Sequence, residues 1–499
     1  GNMPDLLRPA EVGDADFSWT RKYGTVLRIM GTFGRPSLFV SDPKALRYIL
    51  NSRGYRFSRS RNMRFLARLV TGKGLVWAEG MKFYSDILNF PSTIIIGDQH
   101  ARQRKIMEPA FSYASVAAFL PIFQEKCHIA VNKWRDIISQ NGGNPVVLNV
   151  HTWLARLTLD AMGAVYLAMD YELGSLEENS ETELAKQYEN LFSDSQYNPG
   201  NGRILFLDVV GYLPEWAIHL LQNAPDANSK RLKRYIETAT HVARTLILRK
   251  MNLLAAGKDA GKDIMSLLGT AHCRINVRNL MSLSKLELNV FRTLLLAGHE
   301  TTASTMAWLL YELSRHQDLQ DKLRKEIKES RRHRGSEELT TQVFESMPLL
   351  QAILKETLRY HPILARTIRT AGQDDVIPLS VPHRTTDGKF LNEVAVEKGQ
   401  QIFISFAAYN RLLTSIWGED AHVWNPDRFL NDNGTTKTGL GVISNILTFN
   451  SGERSCIGWR FALLEMQSML CDLISNFKFS PPPGDVQIIR SESGLMMPM

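Results

Sequence analysis

Apolar residues recur every three or four positions through most of this chain, and alternate with polar ones only in short stretches near its start and after residue 378. The three-to-four spacing is that of a helix with one buried face. It predicts helices over 117–140 and 150–169, a strongly apolar stretch over 205–221 interrupted by Pro214, and a long basic helix over 229–256. The polar run 195–201, which contains Pro199-Gly200, breaks the pattern. The quartet Ser284-Lys285-Leu286-Glu287 is a capping box, so a helix should start there and run to about His316. At 1.5 Å per residue it would span about 48 Å, enough to cross the whole molecule. Ser346-Met347-Pro348 starts another helix, and an apolar one follows from Trp459. Residues 25–30 and 37–40 read as strands split by a turn, Asp42-Pro43 opens a helix to about Asn51, and 378–410 alternates enough to be strands. The expected fold class is mainly α with a small β lobe.

Composition narrows the classes. The 499 residues carry 59 Lys and Arg against 51 Asp and Glu, a net charge of +8, which favours acidic partners or an anionic membrane surface. Four cysteines (Cys127, Cys273, Cys456, Cys471) are scattered without a C-x-x-C pair. That fits a reducing compartment and argues against a disulfide scaffold or a zinc site. No RNA-binding signature or zinc-finger spacing occurs, so no nucleic-acid partner is expected. No apolar run of about 18 residues occurs either. Gly1-Asn2-Met3 looks like a cloning remnant, and 1–20 is read as a segment following a removed membrane anchor, with 21–499 as a single domain. The arginines at 53, 56, 59, 61, 64 and 68 form either a solvated face or a contact with anionic lipid headgroups. Residues 81–97 hold many apolar side chains without a clean period, and read either as a substrate-site lid or as translated non-coding sequence.

The most informative stretch is 449–458, F-N-S-G-E-R-S-C-I-G. Gly452 and Gly458 allow tight turns and close backbone approach to something flat. Cys456 just precedes a helix start, which favours a thiolate. Arg454 adds positive charge suited to a carboxylate. The segment resembles the haem-binding loop of cytochromes P450. Three further motifs occur in that family's order: Ala297-Gly298-His299-Glu300-Thr301-Thr302, then Glu356 and Arg359, then Pro426 and Arg428. The resemblance covers about Arg21 to Met499, with fungal microsomal members the nearest likeness. The run Asp98 to Lys105 is part of it, and there the 81–97 segment looks inserted and dispensable for haem binding.

The resemblance implies the cytochrome P450 fold and heme b (iron protoporphyrin IX), with Cys456 as the iron ligand. It implies that His100, Arg104 and Arg369 bind haem propionates, and that Phe449, Arg454 and Gly458 shape the cofactor loop. Glu300 and Thr301 would relay protons to bound dioxygen. Gly298 in a helix interior suggests a close approach or a loosened turn that frees the Thr301 hydroxyl. Ala297, Leu364, Arg366 and Leu495 would border the substrate, with Arg366 meeting either a substrate carboxylate or enolate, or protein carbonyls. Glu356, Arg359 and Arg428 would hold the segment beneath the haem. The implied activity is a monooxygenase that inserts one oxygen atom of O2 into a lipophilic small molecule. Its implied partner is an NADPH-cytochrome P450 reductase docking near Arg102, Lys105 and Arg460. A monomer on the cytoplasmic face of the endoplasmic reticulum membrane is expected. The alternatives are a haem-thiolate isomerase or dehydratase of the same fold, and a haem-binding sensor without turnover.

Overall fold

The computed structural model describes residues 1–79, 99–167, 176, 186, 200–213, 227–255, 280–334, 339–430, 437–484, 486–492 and 495–499. Helices α1 (Met3–Leu7) and α2 (Asp14–Tyr23) lead into strands β1 (Val26–Met30) and β2 (Pro36–Val40). The Asp42 carboxylate accepts from the Ala45 N–H and Pro43 fills the first turn, so α3 (Pro43–Arg47) starts where the sequence indicated. Strand β3 (Phe57–Arg59) and α4 (Arg61–Thr71) follow, then α5 (Gln99–Met107), α6 (Tyr113–Ala117), α7 (Leu120–Gln140) and α8 (Val150–Leu167). Next come α9 (Asn201–Val210), α10 (Ala227–Ala255), α11 (Leu280–Arg315), α12 (Gln317–Arg334), α13 (Thr341–Glu345) and α14 (Pro348–Tyr360). Strands β4 (Arg366–Ala371), β5 (Asp375–Arg384), β6 (Phe390–Val396) and β7 (Gln401–Ser405) precede α15 (Phe406–Leu412) and α16 (Thr414–Trp417). Helix α17 (Trp459–Asn476) and strands β8 (Arg490–Glu492) and β9 (Met496–Pro498) close the chain.

Two expectations change. Helix α11 is already under way at Leu280, so Ser284 and Glu287 lie within it rather than at its cap, and its 36 residues span about 54 Å. The expected strand to residue 410 stops at Ser405, whose hydroxyl accepts from the Ala408 N–H and starts α15. The 81–97 segment, Pro199, Pro214, Trp216 and Cys273 lie outside the described residues.

The main sheet has the order β1-β2-β7-β4-β3, with β2 and β7 parallel and the other pairs antiparallel. Residues of α1 and α2 cover one side of it: Leu6 and Ala15 pack with Phe39 and Phe403. The helical core forms around α11, with Leu295, Met306 and Leu313 buried in one cluster with Met162 of α8 and Met469 of α17. A side chain at Gly298 would collide with Met162, so the glycine permits the close approach of α8 to α11. Among the described residues no single helix is long and apolar enough to cross a membrane. The bent pair Gln99–Phe111 and Tyr113–Gln140 passes by length and composition, but Phe123, Val131 and Trp134 of α7 are core residues.

Candidate active site

The cysteine loop is shaped by its backbone. Gly452 has φ of +68°, and a side chain there would strike the Leu50 backbone. The Cys456 N–H donates to the Phe449 carbonyl at 2.8 Å, which closes the loop. Arg104 of α5 donates to the carbonyls of Ser455 at 2.6 Å and Glu453 at 3.3 Å, and pairs with Glu108 at 3.0 Å. Its guanidinium therefore braces the loop, where direct propionate binding was expected. Cys456 lies deep among protein atoms yet keeps an accessible surface. Burial pushes its thiol up, against the pull of the Gly458 N–H and the Arg104 guanidinium. Helix α17 begins only at Trp459, so the expected lowering by a helix start does not win.

Beside the loop lies a crowd of cations. Register pairs Arg59 of β3 directly with Arg369 of β4, an arrangement of like charges that costs stability unless something opposite in sign is near. Arg454 joins them, ion-paired to Glu79 and donating to the Ala78 carbonyl at 3.3 Å. Its Nε is buried without a partner among the described residues. Burial, with repulsion from Arg59 and Arg454, lowers Arg369 to about 9; burial and Arg454 lower Arg59 to about 10. His100 is buried, accepts or donates at Tyr55 Oη over 3.2 Å, and falls to about 3 through burial and the same guanidinium groups. Against three guanidinium groups the cluster holds one carboxylate, Glu79. The surplus of buried positive charge fits a flat cofactor with two carboxylates, as a haem has.

The arginine-rich run divides between solvent and interior, with Arg53, Arg56 and Arg61 exposed. Arg59 turns inward, Arg56 pairs with Asp375 at 3.7 Å, Arg64 lies over the Trp77 ring and Arg61 over Tyr212. Arg59, Tyr55 and Glu79 are site residues that the sequence did not single out. The strand register that sets Arg59 opposite Arg369 joins positions more than 300 apart, and no local pattern encodes it.

Helix α11 carries the next motif. Ala297 is exposed and Thr301 half-buried, whereas residues 290–296 and 302–310 are buried, so one face of the helix is accessible there. The Thr301 hydroxyl donates to the Ala297 carbonyl at 2.7 Å and that of Thr302 to Gly298 at 3.1 Å. The helix is continuous there, so the expected loosened turn is absent and Gly298 serves packing instead. Glu300 is buried. Leu364 is 44% exposed between buried Ile363 and Ala365. The C-terminal strand returns to this turn, Met496 N–H donating to Ile363 O at 2.8 Å, but Leu495 is buried against Trp308 and Ile363. Arg366 pairs with Asp16 at 3.4 Å, a carboxylate that burial pushes up and Arg366 pulls down. It is thus engaged by a protein carboxylate, which neither a substrate anion nor protein carbonyls anticipated.

The remaining motif assembles as expected. Both Glu356 oxygens receive Arg359 at 2.6 and 2.7 Å, while Arg359 also donates to the carbonyls of Asn410, Ala421 and Val423. Arg428 approaches Glu356 at 3.6 Å and Asp420 at 2.7 Å.

Known proteins bear on this site. The cytochrome P450 family model matches residues 92–499. Cytochrome P450 monooxygenase 205 of Postia placenta is 30% identical over 100% of this chain and 87% of its own length. Cytochrome P450 monooxygenase 81 of the same fungus is 31% identical over 92% of this chain and 80% of its own. Cytochrome P450 monooxygenase claW of Ampulloclitocybe clavipes is 29% identical, covering 97% and 84%. An accessible thiol in the glycine-flanked loop, a surplus of buried guanidinium groups beside it and a match over most of the length lead to one assignment: the chain belongs to the cytochrome P450 family and is a P450 monooxygenase.

Proposed function

We propose that the chain binds heme b with Cys456 on the iron and the propionates among Arg59, Arg369 and Arg454, and that it oxidises a lipophilic small molecule. The carrying observation is the uncompensated cation cluster beside the Cys456 loop. When bound, the haem supplies the oxidising chemistry, with thiolate ligation favouring O–O cleavage. The chain's own residues do the rest. Ala297 and Leu364 present apolar surface to the substrate. Thr301 holds a proton at Oγ1, and Glu300 stands next to it as a buried acid. Electrons come from an NADPH-dependent reductase, whose docking the exposed Arg102, Lys105 and Arg460 favour. The membrane surface of the endoplasmic reticulum is the proposed location. Support comes from an exposed apolar strip of Leu205, Phe206, Val209 and Tyr212 around α9, joined to Met63 of α4 through Asn62 and Asp208.

The reduced, CO-bound protein should show the red-shifted Soret band of thiolate ligation, and Cys456→Ala should lose it. A Cys456→Ala protein that kept the band would sink the ligand assignment. NADPH- and reductase-dependent oxygen consumption, with substrates found by a spectral binding screen, separates the monooxygenase from an isomerase or sensor. Thr301→Ala should then leave haem binding intact and raise peroxide release; unchanged coupling would remove Thr301 from proton delivery.

A further inference from the structure

Four consecutive residues hold the cations beside the cysteine loop. Arg59 donates to the Val76 carbonyl at 2.7 Å, Arg64 lies 5.3 Å from the Trp77 ring centre, and Arg454 donates to the Ala78 carbonyl at 3.3 Å. Glu79 completes the run. One of its carboxylate oxygens accepts the Arg59 backbone N–H at 3.2 Å, and the other pairs with the Arg454 guanidinium. Its backbone carbonyl accepts the His100 N–H at 3.3 Å, in the first turn of α5. Glu79 is buried, and it ties β3, α5 and the cysteine loop to one another.

The contacts at Val76, Trp77 and Ala78 bring no net charge to the cluster, whereas Glu79 does. Its carboxylate supports the charged forms of Arg59, Arg64 and Arg369 against burial and mutual repulsion, and it is the one acid that reaches all three among the described residues. A glutamine would have the same shape and could accept the same Arg59 N–H. What the carboxylate adds is a negative charge and a firm hold on Arg454, since a charge-assisted pair is stronger than a neutral one. The charges then balance in a loaded site. Arg59, Arg369 and Arg454 carry three positive charges, and Glu79 with two propionates carries three negative ones.

We propose that Glu79 is a positioning residue for the cofactor: it aims Arg454 at a propionate, and its charge keeps the haem's reduction potential low. The proposal rests on the haem reading given above. Without the carboxylate, one guanidinium charge is left uncompensated beside the cofactor. A nearby positive charge favours ferrous over ferric haem, because the ferrous form carries one more negative charge. The potential sets how readily the first electron enters, so Glu79 acts on the reaction without touching substrate or iron.

Redox titration of the purified, haem-loaded protein with soluble mediators tests this, and it needs neither reductase nor turnover. Glu79→Gln should shift the ferric–ferrous equilibrium about tenfold toward ferrous, a rise of about 59 mV for a one-electron couple. Glu79→Asp restores the charge on a side chain one methylene shorter, and should recover most of the wild-type potential. Both variants should keep the thiolate band of the CO complex. A potential unchanged by Glu79→Gln would remove the charge role. An equal shift in Glu79→Asp would mean that side-chain length, not charge, sets the potential. A Glu79→Gln protein that no longer folds or takes up haem would make Glu79 a structural brace and end the proposal. A wild-type protein that takes up no haem would overturn the haem reading instead, so the two failures are distinct.

Discussion

Two buried arginine clusters among the described residues are built in opposite ways. Around Arg359 carboxylates match the pair of arginines: Glu356 accepts two of its bonds, three carbonyls accept others, and Arg428 has Glu356 and Asp420. Around Arg369 and Arg59 like charges face each other across two strands, Arg454 adds a third, and only Glu79 opposes them among the described residues. A buried charge without compensation is expensive. The first cluster is therefore complete within the protein and reads as structural. The second is complete only with an anionic guest and reads as a binding site. The balance of charge separates the two roles: Arg359 and Arg428 face two carboxylates, whereas Arg59, Arg369 and Arg454 face one among the described residues.

The contrast can be broken by mutation. Arg359→Ala leaves Glu356 buried without its cation, so it should cost about 3–5 kcal/mol of stability, read by denaturant unfolding and by soluble yield. A folded Arg359→Ala protein of wild-type stability would show that this cluster is not structural. Arg369→Met should do the reverse. It removes a repelled charge, so the haem-free protein should unfold no more easily, while haem affinity falls about tenfold or about 1.4 kcal/mol, read by haem titration. Equal losses of stability in the two variants would erase the distinction.

A smaller effect sharpens it through pH. His100 falls to about 3 in the folded protein, well below its ordinary 6.5, through burial and the neighbouring guanidinium groups. A depressed histidine means that the unfolded chain binds more protons between those two values, so stability is lost as pH falls through that window. His151, His299 and His361 fall to about 4, mainly through burial, and act in the same sense. His100→Gln should flatten the acid side of the stability curve by up to about 1.4 kcal/mol per pH unit, compared at pH 4.5 and pH 7 by urea unfolding. An unchanged slope would mean that the cluster leaves His100 unperturbed.

Much of this was legible in order along the chain. The helical period, the Cys456 loop and the Glu356–Arg359 pair use neighbours close in sequence, and a helix or turn fixes their geometry locally. Gly298 was legible only as a question, because a close approach and a loosened turn both call for glycine. Met162 decided it for packing. Arg366 carried no local sign of its partner, since Asp16 lies some 350 positions away in the N-terminal helix.

What the sequence determined by itself was the family's ligand loop, the helical class and the Thr301 hydroxyl's bond to the preceding turn, which any helix interior imposes. Tertiary structure alone set Arg59 against Arg369 and turned Arg104 to the cysteine loop. The physical reason is range. Helix and turn bonds close within a few residues and leave their pattern in the local sequence. Strand register, burial and the balance of buried charge are settled between segments hundreds of residues apart, where each side chain's chemistry is known but its company is not.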